Sequence, residues 1–402
     1  MKKSNLQQFE FIALMASLMS VAALAIDALL PALDLIGISI GTIDNSQNQL
    51  IISMIFLGLG IGPLLFGPLS DSFGRKPIVY FGFLLFIFAS FICLNAENLE
   101  SMIFGRILQG MGLSSARTIS IAMIRDTYSG DFMARIMSFV TVVFLLVPII
   151  APAAGKFVLD HYNWQAIFYG QLIITLFVTF WFWKRQPETL SKENRTKFTW
   201  HLFSDGTKEL FKYPRTLGFT VISGFITGSF IIYLSAAQQI FHNQYHMAND
   251  FPLIFAGLSV TILLATFLNG TFVLRFGMEK LVTLSLYGFI LSSLLFVLLY
   301  SGKSNPAAWV LIAFFAVQFF CIGFLFGNLR ALAMQPIGHI AGIGAALTGF
   351  ISTSMAIPIS TYIGKNIENT ALPLFLGFFI SGVCSLAILY YLKWTKLKKL
   401  QI

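Results

Sequence analysis

A chain of 402 residues that is 57% hydrophobic and only 11% charged, with 43 Phe, cannot cover a water-facing surface, so it is read as an integral membrane protein. Its net charge of +9, from 26 basic and 17 acidic side chains, is accounted for by orientation in a membrane and contact with anionic headgroups, without a nucleic-acid partner. Its three cysteines lie in apolar stretches with no metal-ligand spacing and read as packing residues.

The first predicted span runs without charge from Phe11 to Ile26, meets Asp27, and is apolar again from Ala28 to Leu33. Burying a lone carboxylate raises the free energy of its ionised form, so Asp27 must find a cation, find water or hold a proton. Lys2 and Lys3 before this run, and the small residues Ala23 and Ala25, imitate a secretory signal. The spans that follow and the buried acid argue against cleavage. Further uncharged runs occupy 45–70, 77–96, 136–155, 162–183, 216–241, 251–274, 281–302, 304–329 and 369–392. Each is near or above the roughly 20 residues that cross a bilayer as helix. With the first span, the Arg-containing stretch 99–124 and a Gly-rich one at 340–363, about twelve helices are predicted.

The polar stretch 184–215 divides the chain, giving six-helix bundles at 1–183 and 216–402 with a connecting loop between them. An even helix count returns both termini to one side. Nearly all the basic residues fall on that side, including Arg75, Lys76, Arg125, Arg135, Arg275, Lys280, Arg330 and those from Lys393 onward. Only Lys156, Lys303 and Lys365 fall opposite, while Arg106 and Arg117 lie within a span. The imbalance places both termini in the cytoplasm. The connections 67–76 and 269–280, both rich in Gly and basic residues, echo one another across the halves, as in secondary transporters built from repeats. Gly58 with Gly62, Gly224 with Gly228 and Gly323 with Gly327 fit close helix contact. His242 and His246 are four apart in an outer loop without a third ligand nearby, and no metal site is expected.

The run Gly67-Pro-Leu-Ser-Asp71-Ser-Phe-Gly74-Arg75-Lys76-Pro77 resembles the signature loop of the major facilitator superfamily. Its glycines suit tight turns, and Asp71 can pair with Arg75 or cap a neighbouring helix. Arg106-Ile-Leu-Gln109-Gly110 is similar to the helix 4 motif of that superfamily, and Pro148-Ile-Ile-Ala-Pro152-Ala-Ala-Gly155 to the helix 5 motif of its drug/proton antiporters. The strings around Asp27 and Pro31, Arg125-Asp126-Thr-Tyr128, Met137-Ser138-Phe139 and Pro187-Glu188-Thr189-Leu190 resemble the bicyclomycin-resistance (Bcr/CflA) exporters, as do Asn269, Asn328 and His339-Ile-Ala341-Gly342.

The resemblance implies an all-α major facilitator fold in the bacterial inner membrane, with helices 1, 4, 7 and 10 lining a cavity. It also implies a monomer driven by the proton gradient, with no cofactor. Asp27 and Arg106 lie roughly 9 to 11 Å from the outer ends of their spans, so they can meet at one depth and exchange their pairing for a proton or a substrate group. The bland alternative is a static ion pair joining two helices. Gln109, Tyr233, Gln238 and Gln318 are further candidates for the substrate cavity. Arg117 departs from the family pattern and stands eleven residues beyond Arg106, nearly three turns on. Two guanidiniums on one face would favour an anionic substrate group, whereas pairing with an acid or snorkelling would make Arg117 structural. Lys156, where the helix 5 motif usually continues with Gly, and Ala237-Gln238, where a Pro is usual, also depart from the pattern. The expected activity is proton-coupled export of drug-like amphiphiles or of an anionic metabolite. An exporter dedicated to a carboxylate siderophore is the alternative. No clustered nucleophile, acid or metal ligands suggest a membrane-embedded enzyme.

Overall fold

A computed structural model describes residues 5–196, 198–199, 201–367 and 369–400. The described residues form α-helices and short helical turns, with no strand. In chain order the helices are α1 (Asn5–Asp27), α2 (Leu33–Ser39), α3 (Asn45–Phe73), α4 (Arg75–Leu94), α5 (Leu99–Thr127), α6 (Gly130–His161) and α7 (Trp164–Arg185). There follow α8 (His201–Phe211), α9 (Pro214–Gln239), α10 (Phe251–Phe276), α11 (Met278–Tyr300), α12 (Ala308–Met334), α13 (Ala341–Gly364) and α14 (Leu372–Leu400).

Among the described residues, 11 helical stretches are long and apolar enough to cross a membrane, with α1 and α2 counted as one. The twelfth expected crossing is α5, whose 29 residues are ample in length. Its charged side chains, among them Arg106 and Arg117, lower its apolar character.

The chain divides into two compact units, Met1–Trp200 and His201–Ile402. The polar connection seen in the composition is thereby shared out. Residues 186–196 are bonded into the first unit, and α8 packs on α13 of the second, where a Cβ at Gly206 would meet the Ile343 side chain at 2.8 Å.

Two corrections concern the glycines. The run 67–76 is not an open loop, because α3 continues to Phe73 and α4 starts at Arg75, with Gly74 the single residue between them. Gly74 holds φ 106°, a conformation an L side chain rarely adopts. The second unit repeats the device, with Gly277 at φ 80° between α10 and α11, so the internal echo is structural. Gly58 and Gly62 do serve close packing, since a Cβ at Gly58 would collide with the Ile107 carbonyl oxygen and one at Gly62 with Ser114 Oγ. Gly327, in contrast, has open space where its Cβ would stand.

The core of the second unit is aromatic. The Tyr233 ring lies 4.4 Å from Phe319 and 5.0 Å from Phe315, and Phe375 stacks on Phe296 at 3.8 Å. Such pairs contribute about 0.5–1.5 kcal/mol each beyond burial alone.

Candidate functional site

The candidate proton site grows from a break in the first span. Pro31 has no N–H to offer the carbonyl four residues back, that of Asp27, so a regular helix cannot continue through it. α1 stops at Asp27, and one turn of 3-10 helix, Leu30–Ala32, leads into α2. At the break the Leu29 N–H turns to the Ile26 carbonyl at 3.3 Å, and the Ala25 carbonyl is left for another donor.

Arg106 of α5 supplies that donor. Its Nη1 and Nη2 both donate to the Ala25 oxygen at 3.2 Å, its Nε donates to the Ile51 oxygen of α3 at 2.9 Å, and Nη1 also donates to Gln109 Oε1 at 2.8 Å. Gln109 Nε2 donates in turn to Ser90 Oγ of α4 at 2.8 Å. The Arg106 side chain has no exposure at all, so its charge is solvated by fixed backbone dipoles in place of water.

The other side of the break is set by α6. A Cβ at Gly155 would collide with the Ala28 carbonyl oxygen, so only glycine lets α6 lie this close to the chain beside Asp27. Pro148 and Pro152 stand two and one turns earlier, inside the continuous helix α6. The departure at Lys156 is absorbed locally by an ion pair with Asp160 one turn on.

Asp27 itself is 5% exposed at the end of α1. The expected ion pair with Arg106 is not formed. The guanidinium is directed to the Ala25 and Ile51 carbonyls, and among the described residues no side chain bonds or pairs with the Asp27 carboxyl. The sequence brings the two residues to one region of the unit, but the helix break redirects the arginine from the carboxyl to the backbone.

Arg117 does not join Arg106 either. Although the two lie near one face of α5, Arg106 is sealed inside the unit whereas Arg117 is exposed, with its Cζ 6.0 Å from the centre of the Phe144 ring on α6.

A second cluster surrounds the Gly74 turn. The Arg75 guanidinium, 4% exposed, donates to Asp71 at 2.5 Å, to Asp126 at 2.9 Å and to Ser70 Oγ at 2.8 Å. Glu188 accepts the backbone N–H groups of Arg75 and Lys76, both at 3.0 Å. Its carboxylate thus caps the N-terminus of α4, where unpaired amides and the helix dipole favour negative charge. Thr189 Oγ1 donates to Asp126 at 2.9 Å, Thr196 N–H donates to the Asp71 carbonyl at 3.1 Å, and Lys76 Nζ reaches the Trp183 carbonyl at 3.3 Å. Neither Asp126 nor Glu188 stands out in the sequence as a site residue. The available signal was that each is an acid at a span end crowded with bases.

In the second unit, Tyr233 is enclosed by the aromatic core, and its hydroxyl has no partner among the described residues. Gln318 is fully buried and donates to the Phe289 carbonyl at 3.1 Å and to Ser293 Oγ at 2.8 Å. Gln238 pairs with His242 at 3.1 Å, at the start of a π-helical turn, Ile240–Gln244. Asn269 and Asn328 bond each other, at 2.7 Å by the shorter contact. The side chains of Arg135, Ser138, His339 and Ala341, those from 396 onward, and residues Lys2, Lys3 and Lys197 lie outside the described residues.

Comparison with known proteins accords with this geometry. The family model of the Major Facilitator Superfamily matches residues 12–361. A bicyclomycin resistance protein homolog of Haemophilus influenzae is 26% identical over 360 residues, 89% of each chain. The multidrug resistance protein MdtL of Shewanella oneidensis is 26% identical over 325 residues, 81% of each chain. Among solved structures, the D-xylose-proton symporter superposes with a TM-score of 0.74 at 16% identity, covering 96% of this chain and 97% of that one. These relatives are transporters and not enzymes, and the chain, a multi-pass membrane protein, belongs to the Major Facilitator Superfamily.

Proposed function

We propose that the protein is a proton-coupled antiporter of the bacterial inner membrane that exports small molecules, with both termini in the cytoplasm. The observation that carries this reading is Asp27, a buried carboxyl at a helix break whose position is held from one side by Arg106 and from the other by Gly155. An acid there can load and release a proton as the surrounding helices change their access to water. The printed names of the bicyclomycin-resistance and multidrug-resistance relatives support export, and the crowding of basic residues at one side of the spans supports the orientation. The transporter works as a monomer among lipids, with the proton gradient as its energy source and no bound cofactor. Its cargo is an amphipathic molecule. The exposed Arg117 favours, as a second reading, an anionic metabolite such as a carboxylate siderophore.

The test is substrate flux in proteoliposomes under an imposed pH gradient. Asp27→Asn should remain folded and bind substrate but no longer move it uphill. Uphill flux in the Asn variant that still collapses with an uncoupler would place the proton site elsewhere.

A further inference from the structure

We propose that residues 242–246 form a strap beside Gln238 that exchanges between a latched and a released position, with Asn305 as its latch, a gating device independent of proton coupling at Asp27. The strap begins where α9 leaves regular helical geometry. Ile240 and Phe241 are fully buried, and Phe241 packs 6.3 Å from both Phe251 and Phe315. These two residues open the π-helical turn Ile240–Gln244, and such turns recur where a helix carries function. The Met247 N–H donates to the Phe241 carbonyl at 2.8 Å and closes the base of the segment. Within it, His246 holds φ 56° and is the one non-glycine residue with a positive φ among the described residues. A side chain with a Cβ keeps that conformation only where its surroundings hold it.

The strap is held by side-chain bonds to the connections between other helices of the second unit. Asn305, between α11 and α12, donates from Nδ2 to Gln244 Oε1 at 2.9 Å. The same residue accepts the Ala371 N–H at 2.9 Å and donates to the Asn369 carbonyl at 3.3 Å, both between α13 and α14. Beside it, the Pro306 carbonyl accepts the Tyr245 hydroxyl at 2.8 Å. The body of α9 is anchored separately, by Gln239 Nε2 donating to the Ile367 carbonyl at 2.7 Å. His242, Asn243 and His246 are exposed, so water reaches the strap and can replace its two ties at little net cost. Release then frees the strap while α9 stays folded and anchored. Gln238 is 5% exposed and pairs with His242 at 3.1 Å, so the strap carries its movement to a residue expected in the substrate cavity. A segment with two positions beside a cavity is the kind of element a transporter needs in order to change access.

The experiment uses the full chain in lipid nanodiscs, with Cys93, Cys321 and Cys384 replaced by Ala. Spin labels at Asn243→Cys on the strap and at Tyr362→Cys on α13, where Tyr362 is 76% exposed, report the distance between them by pulsed electron resonance. Two discrete distances are expected, the released one in the minority. Gln244→Ala and Tyr245→Phe each remove one tie and should raise the ratio of released to latched about fivefold, and together further still. Monodispersity in detergent verifies folding, and Tyr245→Phe, which deletes one oxygen, decides the matter if Gln244→Ala is poorly folded. A single distance that neither substitution alters overturns the strap, as does a distribution that only broadens without a second distance, the mark of a fraying helix end. Either result leaves the antiporter reading in place, because that reading stands or falls with Asp27→Asn.

Discussion

Arg106 is tied to Ala25 two residues before Asp27, with both terminal guanidinium nitrogens donating to one carbonyl oxygen at 3.2 Å. The arginine therefore acts on the acid through the backbone. Replacing it with Ala leaves the Ala25 carbonyl and Gln109 Oε1 short of donors in a buried setting, and a cost of at least about 2 kcal/mol is expected. Arg106→Lys supplies an ammonium without the planar fork and should recover part of the stability. Melting of the detergent-solubilised protein measures both variants, and an Ala variant as stable as the wild type would mean that the α1 break holds itself.

Glu188 receives the first two N–H groups of α4. Glu188→Ala removes a cap and a favourable charge at a helix N-terminus, a loss of about 1 kcal/mol. Hydrogen exchange at the amides of residues 75–78 should accelerate, while the far end of α4 is unaffected. Unchanged exchange in this first turn would show that water replaces the carboxylate without cost.

Asp71 is bonded to Arg75 within one unit, so its substitution should bias conformational cycling and not the substrate contact. Asp71→Asn is expected to slow turnover with little change in equilibrium substrate affinity. The comparison requires transport kinetics and binding measured on the same preparation. A large loss of affinity with normal turnover would assign the aspartate to the substrate.

Gly58 and Gly327 make a contrasting pair. A Cβ at Gly58 strikes the backbone of α5, which cannot swing aside, whereas at Gly327 it meets open space. Gly58→Ala should therefore cost about 1–3 kcal/mol by forcing α3 and α5 apart. Gly327→Ala should be neutral or stabilising by up to about 1 kcal/mol through helix propensity. Equal melting shifts for the two would remove the packing argument.

The sequence by itself determined the membrane class, the all-helical fold and the family, because long apolar runs separated by charge follow from the thickness of a bilayer and the motifs between them carry the family resemblance. It also marked Asp27, since an acid at that depth stands out against a uniform background. Partner choice was not legible in it. Asp27 and Arg106 carry opposite charge and lie at similar depth, but a carbonyl released by the break before Pro31 took the arginine. Arg106 and Arg117 share a helical face by periodicity, but neighbouring helices bury one and leave the other exposed. The signature run reads as a loop from its glycines and charges, and only the packed structure reduces it to the single turn residue Gly74, stapled by Asp126 and Glu188 from distant parts of the chain. Hydropathy is a property of each segment, whereas hydrogen-bond partners depend on which segments meet. Tertiary structure decided the latter because every buried donor and acceptor must be satisfied at once.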